Sequence, residues 1–191
     1  PGLLDTARGF LDATGNSDAG YFAAGATPTK RSNIEKITYS TDTTAIIPAR
    51  LSVIKTQHAA TGNQTHGYFG GGQDGDSNYL STMDKITYVN DTRATVPGAN
   101  LTSPIAYQGA TGNSTHGYFG GGLSPLTNAM DKTTYSTDTT ATVPSSANLS
   151  APRRSATATG NSTHGYFAGG TPHVNTIDRI DFSSETTSAP Q

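Results

Sequence analysis

One thirteen-residue segment, ATGNSTHGYFGGG at residues 110–122, occurs four times in this chain with small changes. The other copies begin at residues 13, 60 and 158 and read ATGNSDAGYFAAG, ATGNQTHGYFGGG and ATGNSTHGYFAGG. Their tyrosines, Tyr21, Tyr68, Tyr118 and Tyr166, follow one another at intervals of 47, 50 and 48 residues. A catalytic or phosphate-binding loop usually occurs once, whereas a segment that returns at a fixed period is a structural unit. The glycines of this segment are therefore interpreted as architecture.

The repeat unit extends on both sides of this segment and covers nearly all of the 191 residues. A leucine lies eleven residues before each turn glycine. After the glycines come a variable loop, a stretch of the type Asp-Lys-Ile-Thr-Tyr and an Asp-Thr or Glu-Thr turn. We predict a single repeat domain, residues 1–191, with units of approximately 1–48, 49–97, 98–144 and 145–191.

Each unit carries signals for four short antiparallel strands. Thr-Gly-Asn favours one hairpin turn, because Gly and Asn tolerate positive φ, and Ser-Thr-Asp-Thr favours another. In Gly117-Tyr118-Phe119-Gly120 the two rings point to opposite faces of the sheet, since side chains alternate along a strand. Both faces must then be covered. Four-stranded sheets that stack face to face at a period of about 48 residues are the blades of a β-propeller, so the sequence predicts an all-β fold of this kind.

Composition supports a folded β-protein and argues against several partners. Only 32% of the residues are hydrophobic, but the net charge is −2 and the aromatic residues recur at fixed places, unlike in disordered chains. The chain has no basic cluster, so we expect no nucleic-acid partner. It has no apolar run of about 20 residues, so we expect no membrane insertion. The absence of cysteine excludes disulfides and thiolate sites.

The pattern Leu-x-x-x-Arg, Tyr-Phe-x-Gly-Gly and Tyr-x-x-x-Thr resembles the kelch repeat, in which an aromatic strand ends in two glycines and is followed by a Tyr and a Trp. The double glycine corresponds to Gly71, Gly72, Gly121, Gly122, Gly169 and Gly170. The first unit has Ala24-Gly25 instead, and no unit has the Trp. The resemblance implies four divergent kelch-like β-propeller blades. The ATGNSTHGYFGGG segment also resembles repeat proteins of bacteriophage tail fibres and virion surfaces.

The variable loops are the natural place for ligand contacts, because everything that repeats is interpreted as structural. These loops are residues 26–33, 73–82, 123–129 and 171–176. Within them, Tyr79, Asn128 and His173 are the candidate ligand-binding side chains.

The sequence offers two candidate metal sites, although we expect no cofactor. Asp74, Asp76 and Asn78 place oxygen-bearing side chains at alternate positions, as in the first half of a calcium loop. The second half of an EF-hand is missing, so an ordinary Asx-rich turn is the alternative. His66, His116 and His164 occupy one position in three units and form a divalent-metal set if they converge. The alternative is that each histidine bonds to its own turn.

Two sets of charged residues also have a functional and a structural interpretation. The pairs Glu35-Lys36, Asp84-Lys85, Asp131-Lys132 and Asp178-Arg179 resemble acid/base dyads. Neighbouring strand residues point to opposite faces, however, so inter-blade ion pairs or hydrogen bonds to backbone amides are favoured. The basic residues Arg8, Lys55, Arg153 and Arg154 form an anion-binding patch or, as we favour, tie blades together.

Three functions from different classes follow. The favoured one is a non-catalytic structural and binding module of a phage fibre or another extracellular appendage, located outside the cell or on a virion. Its partners are a glycan or protein receptor, other copies of itself, or other fibre or virion proteins. The alternatives are a propeller-type carbohydrate-active hydrolase or lyase and an intracellular kelch adaptor. No nucleophile elbow, Walker loop, dinucleotide fingerprint or zinc-protease motif supports an enzyme.

Overall fold

The computed structural model describes residues 2–189 of the chain. Its regular structure is formed by strands, apart from two short 3₁₀ turns at Pro97–Ala99 and Ser145–Ala147. The strands are β1 (Asp12–Gly15), β2 (Ala19–Ala23), β3 (Ala26–Thr27), β4 (Thr29–Thr38), β5 (Thr43–Lys55), β6 (Ala59–Gly62), β7 (His66–Gly70), β8 (Met83–Thr87), β9 (Thr92–Thr95), β10 (Gly109–Gly112), β11 (His116–Gly120), β12 (Met130–Thr134), β13 (Thr139–Thr142), β14 (Thr157–Gly160), β15 (His164–Ala168), β16 (Ile177–Asp181) and β17 (Thr186–Ser188). The predicted all-β class is confirmed.

The strands form four antiparallel sheets of the same design. Sheet 1 contains β1, β2, β4 and β5, with β3 paired to the beginning of β4. Sheet 2 contains β6 to β9, sheet 3 contains β10 to β13, and sheet 4 contains β14 to β17, each in sequence order. In sheet 3 the register pairs Ala110 with Phe119, Phe119 with Asp131 and Asp131 with Thr142. The predicted set of four short antiparallel strands is confirmed for sheets 2, 3 and 4, whereas sheet 1 has the additional strand β3 and two longer strands, β4 and β5.

The Thr-Gly-Asn segment forms a tight turn between the first two strands of each sheet. In sheet 3, Asn113 Oδ1 accepts hydrogen bonds from the backbone N–H groups of Thr115 and His116, each at 2.9 Å. It also accepts one from the Thr115 hydroxyl at 2.9 Å. This single side-chain oxygen accepts three hydrogen bonds and so stabilises the turn, which explains why Asn is repeated there.

The predicted variable loop at residues 26–33 is wrong in detail. Residues Ala26–Thr27 form β3, which folds back on the beginning of β4 and pairs Ala26 with Lys30. Pro28 lies in the connection, where its restricted φ suits a turn. The strand β5 also differs from the pattern, since it continues through the predicted boundary at residue 48.

The double glycine joins each sheet to the beginning of the next repeat. Gly121 has a φ of +68°, and a side chain there would meet the Arg153 carbonyl oxygen well inside van der Waals contact. Gly122 then donates its N–H to that same oxygen at 2.8 Å. Glycine is needed here for both the positive φ and the close approach of the two backbones.

A line of main-chain hydrogen bonds connects the four repeats just before their first strands. Gln57 N–H donates to the Phe10 carbonyl oxygen at 3.1 Å, Tyr107 N–H to Gln57 at 2.8 Å, and Ser155 N–H to Tyr107 at 2.7 Å. All four residues have φ between +57° and +61°. The similar φ values show that successive repeats meet in the same way at this point, although β5 runs through the first junction and 3₁₀ turns lie in the other two.

Three hydrophobic cores lie between consecutive sheets. The core between sheets 1 and 2 includes Tyr21, Ile34, Phe69 and Ile86, and the other two contain the equivalent residues. Within residues 2–189, sheets 4 and 1 share no core, hydrogen bond or ion pair. The four sheets therefore form a stack whose two outer faces are uncovered. No helix in the described part of the chain has the length and apolar character needed to cross a bilayer.

Candidate interaction surfaces

Each sheet presents a tyrosine to the sheet that follows it. Tyr68 of β7 stacks on Tyr135 of sheet 3, with 4.8 Å between the ring centroids. Its hydroxyl donates a hydrogen bond of 2.6 Å to the Asp138 carboxylate. Burial, together with this contact to a carboxylate, raises the pKa of Tyr68. The same stacking joins Tyr21 to Tyr88 at 4.8 Å and Tyr118 to Phe182 at 4.9 Å.

A lysine beside each tyrosine adds an ion pair to the same neighbouring turn. Lys85 Nζ lies 2.7 Å from Asp138 Oδ2. Burial acts to raise the pKa of Asp138, but hydrogen bonds from Lys85 and Tyr68 outweigh it and hold that pKa below its usual value. The equivalent ion pairs are Lys36 with Asp91, at 3.0 Å, and Lys132 with Glu185.

The acid that precedes each lysine points the other way and has a different role. Asp84 is fully buried and accepts hydrogen bonds from the Ser52 backbone N–H at 3.1 Å and the Ser52 hydroxyl at 3.0 Å. Its Oδ2 also lies 3.4 Å from Lys55 Nζ. Asp84 and Lys85 therefore serve two separate interfaces. The predicted structural roles are confirmed for the four acids and the three lysines of these pairs, but Arg179 forms no ion pair among the described residues.

The alternative interpretation of the basic residues as an anion-binding patch is wrong, because three of the four are buried. The side chains of Arg8, Lys55 and Arg153 have no exposed surface, and each is paired with a carboxylate of its own repeat unit. Arg154 lies apart from them, over the Tyr107 ring at 5.3 Å from its centroid. Burying a charge is tolerated only with such a partner, so these residues hold the fold together.

Each sheet thus has two different faces. The forward face, which packs on the next sheet, carries the tyrosine of the second strand and the basic residue of the third strand. The backward face carries the neighbouring phenylalanine, together with the aromatic residue and the acid that receive the contacts from the preceding sheet. In sheet 2 the backward face includes Phe69 and Ile86, which are fully buried, and Tyr88 and Asp91.

The forward face of sheet 4 is uncovered. It carries Tyr166, Arg179 and Ile177, at the positions that Tyr68, Lys85 and Met83 occupy in sheet 2. Ile177 is 45% exposed, whereas Met83 is fully buried. Among the described residues Arg179 has no ion pair, and its side chain donates only to the Ser188 hydroxyl of its own sheet, at 3.2 Å.

The backward face of sheet 1 is uncovered as well. Tyr39 is 48% exposed, whereas Tyr88 and Tyr135 at the equivalent positions are 5% and 7% exposed. Asp42 is exposed and has no ion pair within residues 2–189. Beside them, an open apolar depression of about 390 Å³ is lined by Phe22, Ile37, Leu4, Leu11, Ala13 and Thr44, among others. The residue types match a face that is covered in every other sheet.

The three candidate ligand-binding residues lie in separate loops of sheets 2, 3 and 4. Tyr79 forms a backbone bridge to Gln73 within its own loop. Asn128 uses its side-chain amide to donate to the Leu149 carbonyl oxygen at 2.9 Å, so this amide has a structural partner. His173 is exposed. Because the second and third strands are antiparallel and consecutive in every sheet, all three loops leave from the same edge of the stack.

The polar groups of the Asp74 loop form hydrogen bonds with one another. Asp74 Oδ1 accepts the backbone N–H groups of Asp76 and Asn78 at 2.9 and 2.8 Å, and Oδ2 accepts the Asn78 amide at 3.0 Å. The side-chain hydrogen bond from Asn78 lowers the pKa of Asp74 most. The Asp74 carboxylate is directed at its own turn, which is the geometry of an Asx turn.

The repeated histidines follow the structural interpretation. His66, His116 and His164 each place Nδ1 2.8 Å from the hydroxyl of the preceding threonine. The pKa values of His66 and His116 are lowered, mainly because their rings are partly buried. Within residues 2–189, no three His, Asp or Glu side chains come together to hold a metal ion.

No protein-family model matches the chain, and no curated protein is significantly similar to it. Function is therefore inferred from the contacts themselves. Sequence reasoning did not identify the two uncovered faces. The signal was present, because Tyr39, Asp42, Tyr166 and Arg179 stand at the positions whose equivalents pair inside the chain.

Proposed function

We propose that this chain is a non-catalytic structural and binding module that assembles head to tail through its outer faces. The observation behind this proposal is that one interface is formed three times inside the chain and that each of its halves is left over once. Tyr166 and Arg179 remain on sheet 4, and Tyr39 and Asp42 remain on sheet 1. Docking one copy on the next repeats the internal contact.

The two uncovered faces are complementary in residue type, charge and apolar character. Arg179 stands where lysine pairs with the acid of the next sheet, and Asp42 supplies that acid. Asp42 has a φ of +51°, matching +55° at Asp91 and +51° at Asp138, so its turn has the conformation that receives the contact. Covering Ile177 and Phe22 removes apolar surface from water, which favours association.

This contact joins two different surfaces, so it is heterologous and can close into a ring or continue as a filament. Two copies bring eight sheets together, which is within the range of β-propellers. We place the module among kelch-like propellers of a phage fibre or another extracellular appendage, on the basis of the repeated sequence segments and the blade-like sheets. In either assembly the variable loops of every copy lie on one edge, where they meet a glycan or protein receptor many times at once.

The test of assembly is the mass of the particle by light scattering after size exclusion. We expect the 191-residue chain to form multiples of its 19.7 kDa mass. Arg179→Glu or Asp42→Lys alone should dissociate it, because each places like charges across the interface. Mixing the two variants, or combining both changes in one chain, restores an acid opposite a base and should restore the assembly. Position 42 has a positive φ of +51°, which few residue types adopt easily. We expect lysine to be tolerated there, because Glu185, which is also a long side chain, has a φ of +50° at the equivalent position.

Asp76→Lys is the matched control, because it reverses an exposed charge in the loop of sheet 2, which contributes to neither outer face. It should leave the assembly unchanged. A chain that remains a 19.7 kDa monomer at all concentrations and ignores the charge reversals contradicts the assembly proposal.

The receptor part of the proposal has its own test. A glycan array and a panel of cell-surface proteins are probed with the chain and with Tyr79→Ala and His173→Ala. Binding that these loop variants weaken, without a change in assembled mass, supports receptor contact at the loop edge. Binding that neither variant changes contradicts it.

A further inference from the structure

Three of the four repeats place a buried basic side chain fourteen residues before the strand phenylalanine. Lys55 Nζ donates to the Phe69 carbonyl oxygen at 3.2 Å and lies 3.4 Å from Asp84 Oδ2. Arg153 is held in the same way, 3.3 Å from the Phe167 carbonyl oxygen and 2.5 Å from its carboxylate partner in β16. Lys55 and Arg153 therefore each occupy a cleft formed by one main-chain oxygen and one carboxylate, whereas Arg8 in the first repeat pairs with two carboxylates, Asp5 and Glu35.

The third repeat has the cleft but not the cation. Ile105 stands fourteen residues before Phe119, where the others have Lys or Arg. The carboxylate is still in place, because Asp131 accepts the Thr102 backbone N–H at 2.8 Å and the Thr102 hydroxyl at 2.8 Å. Ser52 binds Asp84 in the same manner in sheet 2. Within residues 2–189, Asp131 forms no ion pair.

A cavity of about 260 Å³ lies beside Ile105 in the third repeat. Phe119, Ile105 and Leu101 supply its apolar wall, and Asp131 supplies a carboxylate. Gln108 also lines the cavity; it is 7% exposed, and neither its Oε1 nor its Nε2 has a hydrogen-bond partner in the described part of the chain. Buried polar atoms without partners are rare in folded proteins, and a ligand in the cavity would satisfy them.

We infer that this cavity is a binding site for a small primary ammonium compound. The ammonium group takes the position of the absent lysine head, between the Asp131 carboxylate and the Phe119 carbonyl oxygen. The carbon chain lies along Ile105 and Leu101, and Gln108 bonds to a hydroxyl or carbonyl group of the ligand. Apolar cavities left by a missing side chain bind small molecules of matching shape, and here a carboxylate adds selectivity for a cation. The site is independent of the outer faces.

The first probe is n-butylammonium, which has the atoms of a lysine side chain. It is added to the full chain at pH 7 and followed by ¹H–¹⁵N NMR. We expect saturable shifts at the Gln108 side-chain amide, Ile105 and Phe119, with binding about tenfold tighter than that of uncharged 1-butanol. Glucosamine, compared with its uncharged analogue N-acetylglucosamine and with butylammonium, decides whether the ammonium group comes from an amino sugar or an alkylamine. Amines that bind no better than their uncharged analogues overturn the inference.

Variants provide a second readout that needs no ligand. Ile105→Lys fills the cavity with a tethered ammonium, so it should abolish amine binding and melt at a higher temperature than Ile105→Met, its uncharged match in length. Asp131→Asn keeps the acceptor for Thr102 but removes the charge, so it should abolish the preference for butylammonium over butanol. An Ile105→Lys protein that melts no higher than Ile105→Met would show that the cleft of the third repeat does not hold a cation.

Discussion

Among single residues, His58 shows how burial sets the charge of a side chain. Its ring is 4% exposed and lies 5.9 Å from that of Phe69, and neither nitrogen has a hydrogen-bond partner among the described residues. Burial first, and then the nearby charge of Lys55, lowers the pKa of His58 to about 3. The ring is therefore neutral in the folded protein over the whole physiological pH range.

This buried histidine makes the fold less stable in mild acid. An unfolded chain binds a proton at His58 below pH of about 6.5, while the folded chain does not until pH of about 3. The free energy of unfolding contributed by His58 is thus fully present above pH of about 6.5 and is lost progressively as the pH falls towards 3. We expect a loss of about 1.4 kcal/mol between pH 8 and pH 5.5 from this group. Urea unfolding at the two pH values measures it.

His58→Gln is the matched variant, because Gln108 occupies the equivalent position in the third repeat. It should lose less stability than the native chain on acidification, by the amount just given. The other histidines contribute equally to both proteins, so the comparison isolates His58. Identical pH dependence in the two proteins would show that the His58 ring reaches water.

Residue roles were predictable where the repeat supplied its own comparison. The structural role of Lys55 and Arg153 followed from the recurrence of a basic residue, and the exception at Ile105 was visible in the same alignment of repeats. The burial of His58 and Gln108 was not predictable, because polar residues are usually exposed and nothing in the sequence marks these two.

Among the elements, the Thr-Gly-Asn hairpin is the most strongly specified. Asn113 supplies one oxygen to three donors, as described above, and Asn63 has the same arrangement. The Asn63 amide also donates to the Ser114 carbonyl oxygen of the neighbouring turn at 3.2 Å. The turn therefore fixes its own hairpin and, at Asn63, aligns it with the next sheet.

Replacing Asn113 by alanine should lower the free energy of unfolding by about 1–2 kcal/mol, because three donors lose their acceptor. Asn113→Asp keeps the acceptor and should be close to neutral. Asn63→Ala should be more destabilising than Asn113→Ala, since it also loses the contact with Ser114. Thermal and urea unfolding at low protein concentration give the comparison. Equal stability of the Ala and Asp variants at position 113 would contradict this account of the turn.

Hairpins joined by short turns were predictable because their turn chemistry is local. The β3–β4 hairpin was not, since residues 26–33 lack an Asn-Gly signal and vary from unit to unit. The length of β5 was equally hidden, because it depends on irregular pairing with β4 at Asn33, where the register shifts. Such pairing is decided by the neighbouring strand and not by the residues of β5 alone.

For the whole molecule, the stack of sheets implies graded protection. Sheets 2 and 3 are covered on both faces, whereas sheets 1 and 4 each have one face uncovered. In dilute solution we expect slower hydrogen exchange in β7 and β11 than in β2 and β15, because stability in a repeat stack is the sum of units and their interfaces. Exchange measured by mass spectrometry tests this, and raising the concentration should slow exchange in β2 and β15. Equal protection of all four strands would contradict the graded stack.

The number and order of the sheets were predictable from the period of the repeat. The exposure of the two outer faces was not predictable. A repeated sequence specifies how neighbouring sheets meet, and it gives covered and uncovered faces the same residue types. Tyr39 and Tyr88 look alike in the sequence, yet one is largely exposed and the other is buried. Only the three-dimensional structure distinguishes them.

The single backbone geometry that joins Phe10, Gln57, Tyr107 and Ser155 has a consequence for how such chains change in evolution. Because the repeats meet through the same main-chain hydrogen bond at each junction, gaining or losing one inner repeat leaves the first and last faces as they were. Recombination between near-identical copies of the thirteen-residue segment can therefore lengthen or shorten the chain in steps of one sheet. Each product keeps the same two outer faces, so a change in the number of sheets does not alter them.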